Sequence, residues 1–572
     1  MLIKRQLWNK RIEIFSCLLA VIVVSIPLLG STIFQGHDTF FHTQRIVSIS
    51  NALREGQFPV RIYKEIFDGY GYGSSLFYPE LFLYIPALMH LAGASIVTSY
   101  HIFVLMINIA TILVAKYSFS VILKSRQIGF LAAIIYELSV YRMVDLYTRG
   151  SLGENLALIF CPLALCGIVY LLRGTTEKWW LLMVGFSGLL QSHVLTFVMM
   201  VIMTAVIMVI NIRKILNKKT IVSLTKAVFM TIGINLWFLI PFLQVSSMKV
   251  QAYKGDEKFW NTNSMLAEIF DVTLRTSYGV ETYSSGLGNT ITKTVGIVIL
   301  LGCVFFIYCL LLGAKGQKRR LLKDNIIYLV LGGIAICMLT NLFPWNLIKQ
   351  SDCLRNFFEK FQFMWRFNII AVLLLSMVAS VGIYIMFCLK NKKKVLFCLT
   401  LGISIYSLIY INNFVRASSE FDDQGVMEIS YMDTLYLLEN NDIFVREELE
   451  SNAKQIQYDS YKRGNAEISL NYSILSNENE VYIDVPITYY PGYVAKINGE
   501  DCKVECGDGG VVRINIPSGK KIGKLEVEYV ESNLYKAADV VSMLCLFALV
   551  IRVIISLKAK HKDKTNSHMK KR

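Results

Sequence analysis

The feature that most constrains this chain is a repeated one: long apolar runs, separated by short segments that hold most of the lysines and arginines. Crossing the roughly 30 Å hydrocarbon core of a bilayer takes about 20 apolar residues in a helix. Every backbone N–H and C=O must then be satisfied inside the segment itself. Runs of this kind fall near 12–34, 100–123, 127–143, 152–172, 179–193, 194–212, 222–246, 291–313, 325–343, 366–389, 395–413 and 536–557. The expected fold is a polytopic α-helical membrane protein of about 12 spans. The run at 179–193 is the shortest of them.

Composition agrees with that reading. Of 572 residues, 54% are hydrophobic and 17% charged, against about 45–50% and about 25% in soluble globular chains. A water-soluble enzyme, a disordered chain, collagen and a coiled coil are excluded on these grounds. The net charge of +16, from 58 basic and 42 acidic residues, would suggest nucleic acid in a soluble protein. Here the cations collect between apolar runs and act as an orientation signal.

The clusters Lys4/Arg5/Lys10/Arg11, Lys124/Arg126, Arg213/Lys214/Lys218/Lys219, Lys315/Lys318/Arg319/Arg320, Lys390/Lys392/Lys393/Lys394 and the tail 558–572 all fall on the cytoplasmic side if 12 spans are counted. The basic start followed by an apolar stretch has a signal-peptide look, but the stretch is longer than a signal core, so it is read as an uncleaved first helix. Segment 80–97, which carries Glu80, Pro86 and His90, would invert this arrangement if it crossed. It is expected to lie in the outer interface instead.

The outer side then holds the loop 35–99, the turn 144–151, the loops 247–290 and 344–365, and a domain at 414–535. The transmembrane domain is expected over 1–413 and the closing span over 536–557, with a basic tail after it. Within 414–535, residues 418–450 look helical and acidic. From about 455, valine-, isoleucine- and tyrosine-rich stretches are punctuated by Asn498-Gly499, Asp508-Gly509-Gly510 and Ser518-Gly519. That pattern predicts an extracytoplasmic β-sandwich.

Ten of the 12 cysteines lie in or beside apolar segments and read as small apolar residues. Cys502 and Cys506 sit together in a polar region. Four residues apart in one straight strand they would be roughly 13 Å apart, so a bridge would need a turn between them. No Cys/His spacing suits zinc.

The polar residues at the ends of the apolar runs are the candidates for chemistry. The first outer loop opens GHDTFFHTQR, placing His37, Asp38, His42 and Arg45 directly after the first span. A carboxylate there is suited to take a proton from a hydroxyl; the plainer reading makes Asp38 a helix N-cap. In KEIFDGYGYGSSLFYPELFLYIP, Tyr70, Tyr72, Tyr78 and Tyr84 mix with Gly69, Gly71 and Gly73. They suit a sugar or, more simply, an interfacial aromatic belt. Lys64 is placed to meet a phosphate or a lipid headgroup.

The turn YRMVDLYTRGSLGENLAL brings Arg142, Asp145, Arg149 and Glu154 close in sequence. Arg149 has the donor fork for a phosphate, with Asp145 and Glu154 placed to steady it or to bind sugar hydroxyls; an ordinary charged helix hairpin is the alternative. His193 lies at the junction of two abutting apolar runs, either as a ligand or as a satisfied core histidine. Arg366, in FFEKFQFMWRFN, reads as a second phosphate clamp or as a snorkelling arginine.

The chain has no Walker A loop, which argues against an ATP-driven pump. It has no GxSxG and no HExxH. No DxD pair occurs in the outer loops near the membrane, so a divalent metal has no evident paired-carboxylate site.

Taken in order, GHDTFFHTQR, GYGSSLFYPELFLYIPALMHLAG, DLYTRGSLGE and FQFMWRF, followed by the C-terminal strand region, resemble the GT-C superfamily of membrane glycosyltransferases. Within it the chain looks like the YfhO-type bacterial membrane proteins. The resemblance covers nearly the whole chain and rests on the order of the motifs, since each is weak alone. It implies Asp38 as, or beside, the catalytic base, with Asp145 from the second acidic loop and Glu154 assisting. It implies Lys64, Arg149 and Arg366 as candidates to hold a lipid phosphate.

The activity implied is transfer of a sugar from a polyprenyl-phosphate donor to an extracytoplasmic glycan or cell-wall polymer, such as a teichoic acid. The partners implied are that donor, that acceptor and the bilayer, with no nucleic acid. The missing DxD departs from the oligosaccharyltransferases of the superfamily and weighs against a metal-dependent diphosphate donor. Two alternatives remain from the residues. A transporter or flippase of lipid-linked sugars would show ionisable residues at mid-membrane and internal repeats, neither of which is evident. A non-catalytic glycan-binding surface protein would not need Asp38, Asp145 and Arg149 together.

Overall fold

A computed structural model describes residues 2–248, 250, 258–262, 264, 266–270, 293–387, 392–427, 434–438, 449–459, 466–476 and 480–569. Most of the expected loop 247–290, and parts of the 418–450 segment, lie outside these residues. So do the side chains of the basic tail at 558–572. The chain divides into two compact units. One comprises Met1–Val60, Glu80–Thr220 and Ala252–Asp433; the other comprises Arg61–Pro79, Ile221–Gln251 and Thr434–Arg572. This division is not the linear one expected from sequence, with a boundary at 413. Residues 61–79 and 221–251 join the C-terminal residues through packing that no composition shift announces.

The first unit is helical. Among the described residues of the whole chain, seven helices are long and apolar enough to cross a membrane, or eight if the bent pair Arg126–Glu137 and Val140–Thr148 counts as one span. They are compatible with a multi-pass membrane protein. Helices Trp179–Leu190, Val194–Ile210 and Ile297–Leu311 have 12, 17 and 15 residues. At about 1.5 Å per residue each is shorter than the roughly 30 Å core, although the apolar runs that contain them are longer.

The first helix, Leu2–Val24, ends before Pro27 and Gly30, so the apolar run 12–34 is not one helix. The 80–97 segment forms a short helical stretch, Leu81–Leu91, before the long helix Ile96–Ile122. Helices Leu152–Leu172 and Met364–Phe387 are the most enclosed. Small residues let their neighbours close in: a Cβ on Gly185 would lie 2.6 Å from the Ala164 backbone nitrogen, and one on Gly382 would lie 2.3 Å from the Gly302 carbonyl. Such contacts are how helices associate where burial from water cannot drive them. A two-residue ladder of β1 (Ile33–Phe34) and β2 (Glu420–Phe421) completes the unit.

The second unit holds the strand region. Its strands are β3 (Glu450–Ser451), β4 (Ile456–Tyr458), β5 (Ile468–Ile474), β6 (Val481–Thr488), β7 (Tyr493–Ile497), β8 (Glu500–Cys502), β9 (Val504–Cys506), β10 (Val511–Ile516) and β11 (Ile522–Tyr529). They form two antiparallel sheets, ordered β3-β6-β10-β9 and β4-β5-β11-β7-β8. Burial alternates along β5, with Ile468, Leu470, Tyr472 and Ile474 inward, the period of a strand with one covered face.

Cys502 and Cys506 fall on different sheets and both thiols are free. The tyrosine- and glycine-rich stretch packs on these strands: Thr488 donates its N–H to the Tyr70 carbonyl at 2.9 Å, and the Tyr490 ring lies where a Cβ on Gly73 would sit. Tyr70 and Tyr72 are buried there. Arg61 donates to Glu531 at 2.7 Å, to Asp539 at 2.8 Å and to the Trp237 carbonyl at 2.9 Å. It thereby ties helix Asn533–Met569 to helix Lys218–Val245.

Candidate functional site

The site in the first unit begins with two glycines. The main chain of 37–38 runs against that of 148–149: the His37 N–H donates to the Thr148 carbonyl at 3.2 Å and the Asp38 N–H to the Arg149 carbonyl at 2.7 Å. That approach is possible because Gly36 and Gly150 lack side chains. A Cβ on Gly36 would lie 2.5 Å from the Tyr147 carbonyl. Gly150, at φ +65°, would place one 2.1 Å from the Thr39 hydroxyl, and positive φ is costly for other residues. Asp38 stands at the N-cap position of helix Thr39–Arg54, yet its side chain makes no capping hydrogen bond. The carboxylate is left for other contacts.

Those contacts lead to a buried charge cluster. Arg149 binds Asp145 through a short hydrogen bond, lies 2.8 Å from Glu154 Oε2, and presents Nη2 at 3.8 Å from Asp38 Oδ2. Asp145 is held further by Asn155 Nδ2 at 3.1 Å. Glu154 accepts from Arg366 Nε at 2.9 Å and from the Tyr141 hydroxyl at 3.3 Å. Arg366 also donates to the Phe361 carbonyl and to Gln362 Oε1, both at 2.8 Å. The Arg149 guanidinium lies over the Trp365 ring, 4.2 Å from its centroid, a favourable cation–π placement.

Asp145 and Glu154 are fully buried and Arg149 nearly so, whereas the Asp38 side chain is 42% exposed. Three carboxylates therefore share two guanidinium groups, and the one at the surface of the cluster has the weakest hold on a cation. Crowding by surrounding protein raises the Asp38 carboxyl above its ordinary value, with Arg149 and Arg366 pulling it back.

The histidines differ in placement. His193 caps helix Val194–Ile210 by accepting the Thr196 N–H on Nδ1. Its neutral form thus carries its proton on Nε2, which lies 4.0 Å from Glu154 Oε1. His42 is buried in helix Thr39–Arg54 and held well below its ordinary pKa by burial and by the nearby Arg45, His193 and Arg149. His37 is exposed. Arg45 pairs with buried Glu80 at 3.7 Å.

The structure thus brings together Asp38, Asp145, Arg149, Glu154, His193 and Arg366. Lys64 and Tyr78 belong to the other unit, where Lys64 forms a short contact with Glu467 and the Tyr78 ring lies edge-on to Tyr436. Sequence reasoning missed Tyr141, Asn155, Gln362 and Trp365 as partners of the cluster. The last two stand within FQFMWRF, whose density of aromatic and basic residues was the available signal.

A second ionic pair was also missed. Arg142 and Glu137, both fully buried, lie 3.2 Å apart at the break of the bent helix pair. Arg142 further donates to Asn108 Oδ1 at 2.7 Å, and among the described residues neither Glu137 carboxylate oxygen accepts a hydrogen bond. The pair lies among buried residues at that break. Among the described residues, no group of three or more His, Cys, Asp or Glu side chains converges as a metal site.

No family model matches the chain. It is similar to an uncharacterized protein of Lactococcus lactis subsp. cremoris (strain MG1363), 24% identical over 347 residues, which take in 58% of this chain and 53% of the other. The chain spans about half the length of that curated relative.

Proposed function

We propose that this protein is a membrane glycosyltransferase of the GT-C type, with about 12 membrane crossings and a β-sandwich on the extracytoplasmic side. Its reaction moves a sugar from a polyprenyl-phosphate donor to an extracytoplasmic acceptor such as a cell-wall or surface glycopolymer. The observation that carries the reading is the position of Asp38. It is a half-exposed carboxylate, fixed through its backbone to the 148–150 turn and backed by a buried Arg149 that two further carboxylates hold in place.

In this mechanism Asp38 takes the proton of the acceptor hydroxyl. The acceptor oxygen forms a bond to the anomeric carbon as the bond from that carbon to the phosphate oxygen breaks. The electron pair leaves with the polyprenyl phosphate. A base of this kind contributes about 10²–10⁴-fold. Because Arg149 and Arg366 are already engaged by carboxylates, their part is to position Asp38. The Nη2 edge of Arg149, which faces Asp38, is placed to meet charge developing on the leaving phosphate.

The test is transfer by the purified protein from a polyprenyl-phosphate sugar, together with identification of the lipid-linked sugar that accumulates when the protein is deleted. Asp38→Asn is expected to abolish transfer while eluting and melting like the parent; full activity in that variant overturns the assignment.

One observation favours a second reading, a transporter or flippase for lipid-linked sugars. The buried Glu137–Arg142 pair at a break in a candidate span is the kind of intramembrane ionisable site that transport uses. On that reading, Glu137→Gln stops translocation of lipid-linked sugar in proteoliposomes, whereas transfer chemistry depends on Asp38.

A further inference from the structure

Between helices Gly316–Met338 and Met364–Phe387 the chain forms two short helices, Trp345–Lys349 and Asp352–Glu359. Trp345 is buried against Phe259, with ring centroids 5.4 Å apart, and against Phe358 at 5.2 Å. The Trp260 Nε1–H donates to Glu359 at 2.7 Å. With its aromatic interior thus filled, the segment still presents Leu342 and Leu347, each 66% exposed, Leu354 at 45% and Phe357 at 37%. In Asp352–Glu359, Leu354 and Phe357 occupy positions i and i+3 on one side of the helix, while Asn356 lies on the other and Phe358 turns toward Trp345. Both ends of the segment run directly into apolar helices that qualify as membrane spans. A connection held at both ends by such helices stays close to the bilayer surface, and Leu342, Leu347, Leu354 and Phe357 keep this exposure among the described residues. A lipid surface is therefore the occupant that this face fits.

We propose that residues 342–361 form an amphipathic strap seated in one leaflet of the membrane, with Leu342, Leu347, Leu354 and Phe357 inserted among the acyl chains. Its far end carries the Phe361 carbonyl and Gln362, the two groups that receive Arg366 Nη1. The lipid-seated strap thereby fixes one guanidinium of the buried cluster. The inference does not depend on which reaction that cluster supports.

The test uses the full chain in nanodiscs of phosphatidylglycerol and phosphatidylethanolamine, with p-benzoylphenylalanine placed singly at Leu347, Leu354 or Asn356. After irradiation, lipid adducts counted by mass spectrometry are expected at 347 and 354 in at least about tenfold excess over 356, as a one-sided amphipathic insertion requires. Equal yields at 354 and 356, no lipid adduct at 347 and 354, or cross-linking of those two positions to a second copy of the chain would each overturn the proposal. A variant that does not elute as a single species is replaced by one at Phe357, on the same face as Leu354.

Discussion

Replacing Glu154 by glutamine removes one negative charge from a fully enclosed site without changing its size. In the native cluster Oε2 lies 2.8 Å from Arg149 Nη1, and Oε1 accepts from Arg366 Nε at 2.9 Å. A glutamine offers one acceptor oxygen, so one of these two guanidinium contacts must be lost, and its NH₂ then faces a cation. Arg149 keeps Asp145 as a counter-ion, but Arg366 is left with the Phe361 carbonyl, Gln362 and the Phe363 ring. Breaking a buried ion pair by removing one partner costs about 3–5 kcal/mol.

In a chain of this size that corresponds to a fall in Tm of roughly 2.5–4 °C, readable by size-exclusion after heating in detergent. The cost should be shared with the partner: Arg366→Met in the Glu154→Gln background is expected to cost less than in the parent, since the two side chains contact each other. A fall below about 2 °C, or strict additivity of the two variants, would refute the claim that Glu154 joins the two arginines.

Further outcomes follow from the same geometry. Gly150→Ala must bear both a positive φ and a Cβ 2.1 Å from the Thr39 hydroxyl, so it is expected to lose more than the ~1–2 kcal/mol that a left-handed conformation costs. Gly174→Ala, at φ +80° with nothing within 4 Å, is expected to show the backbone cost alone, and comparing the two melting temperatures isolates the loop contact. If Asp38 is the base it must be ionised to act. Its raised pKa then puts the acid limb of the transfer rate above the ordinary carboxylate value of about 3.9, with activity falling as pH drops through the limb; a flat profile down to pH ~4 would remove Asp38 from that role. Arg61→Met leaves Glu531 and Asp539 without their cation and is expected to cost about 3–5 kcal/mol. Arg61→Lys should rescue it only partly, because a point charge cannot reach three separate acceptors; full rescue would argue against the fork geometry. Alkylation without reductant is expected to modify both Cys502 and Cys506 as seen by intact mass, whereas a species two thiols short would show a bridge.

What the sequence made legible was whatever repeats with a fixed period. Helices Ile96–Ile122, Leu152–Leu172, Met364–Phe387 and Lys392–Ala417 follow apolar runs of sufficient length. Strands β5 to β11 follow alternation and turn residues. A run of apolar residues says nothing of where Pro27 stops the first helix or of how residues 137–142 bend, since hydropathy counts side chains and not backbone direction. The tyrosines of 61–79 looked interfacial because an aromatic belt and a buried packing surface have the same composition. Their burial and the contacts with Thr488 and Tyr490 distinguish them.

The charged residues were located by sequence, but their pairing was not. Arg149 and Arg366 lie 217 positions apart (366 − 149), and both read naturally as free cations waiting for a phosphate. The structure places Glu154 between them, so Arg149 is engaged by carboxylates and Arg366 by Glu154, the Phe361 carbonyl and Gln362. This changes the chemistry the cluster can do. A clamp of two free arginines would bind any anion and would weaken steeply with salt. A neutralised, enclosed network binds no anion strongly and instead fixes the direction of the one carboxylate at its edge. The distinction depends on long-range contacts that no local spacing encodes, and it makes Asp38, rather than the arginines, the residue on which a functional assignment turns.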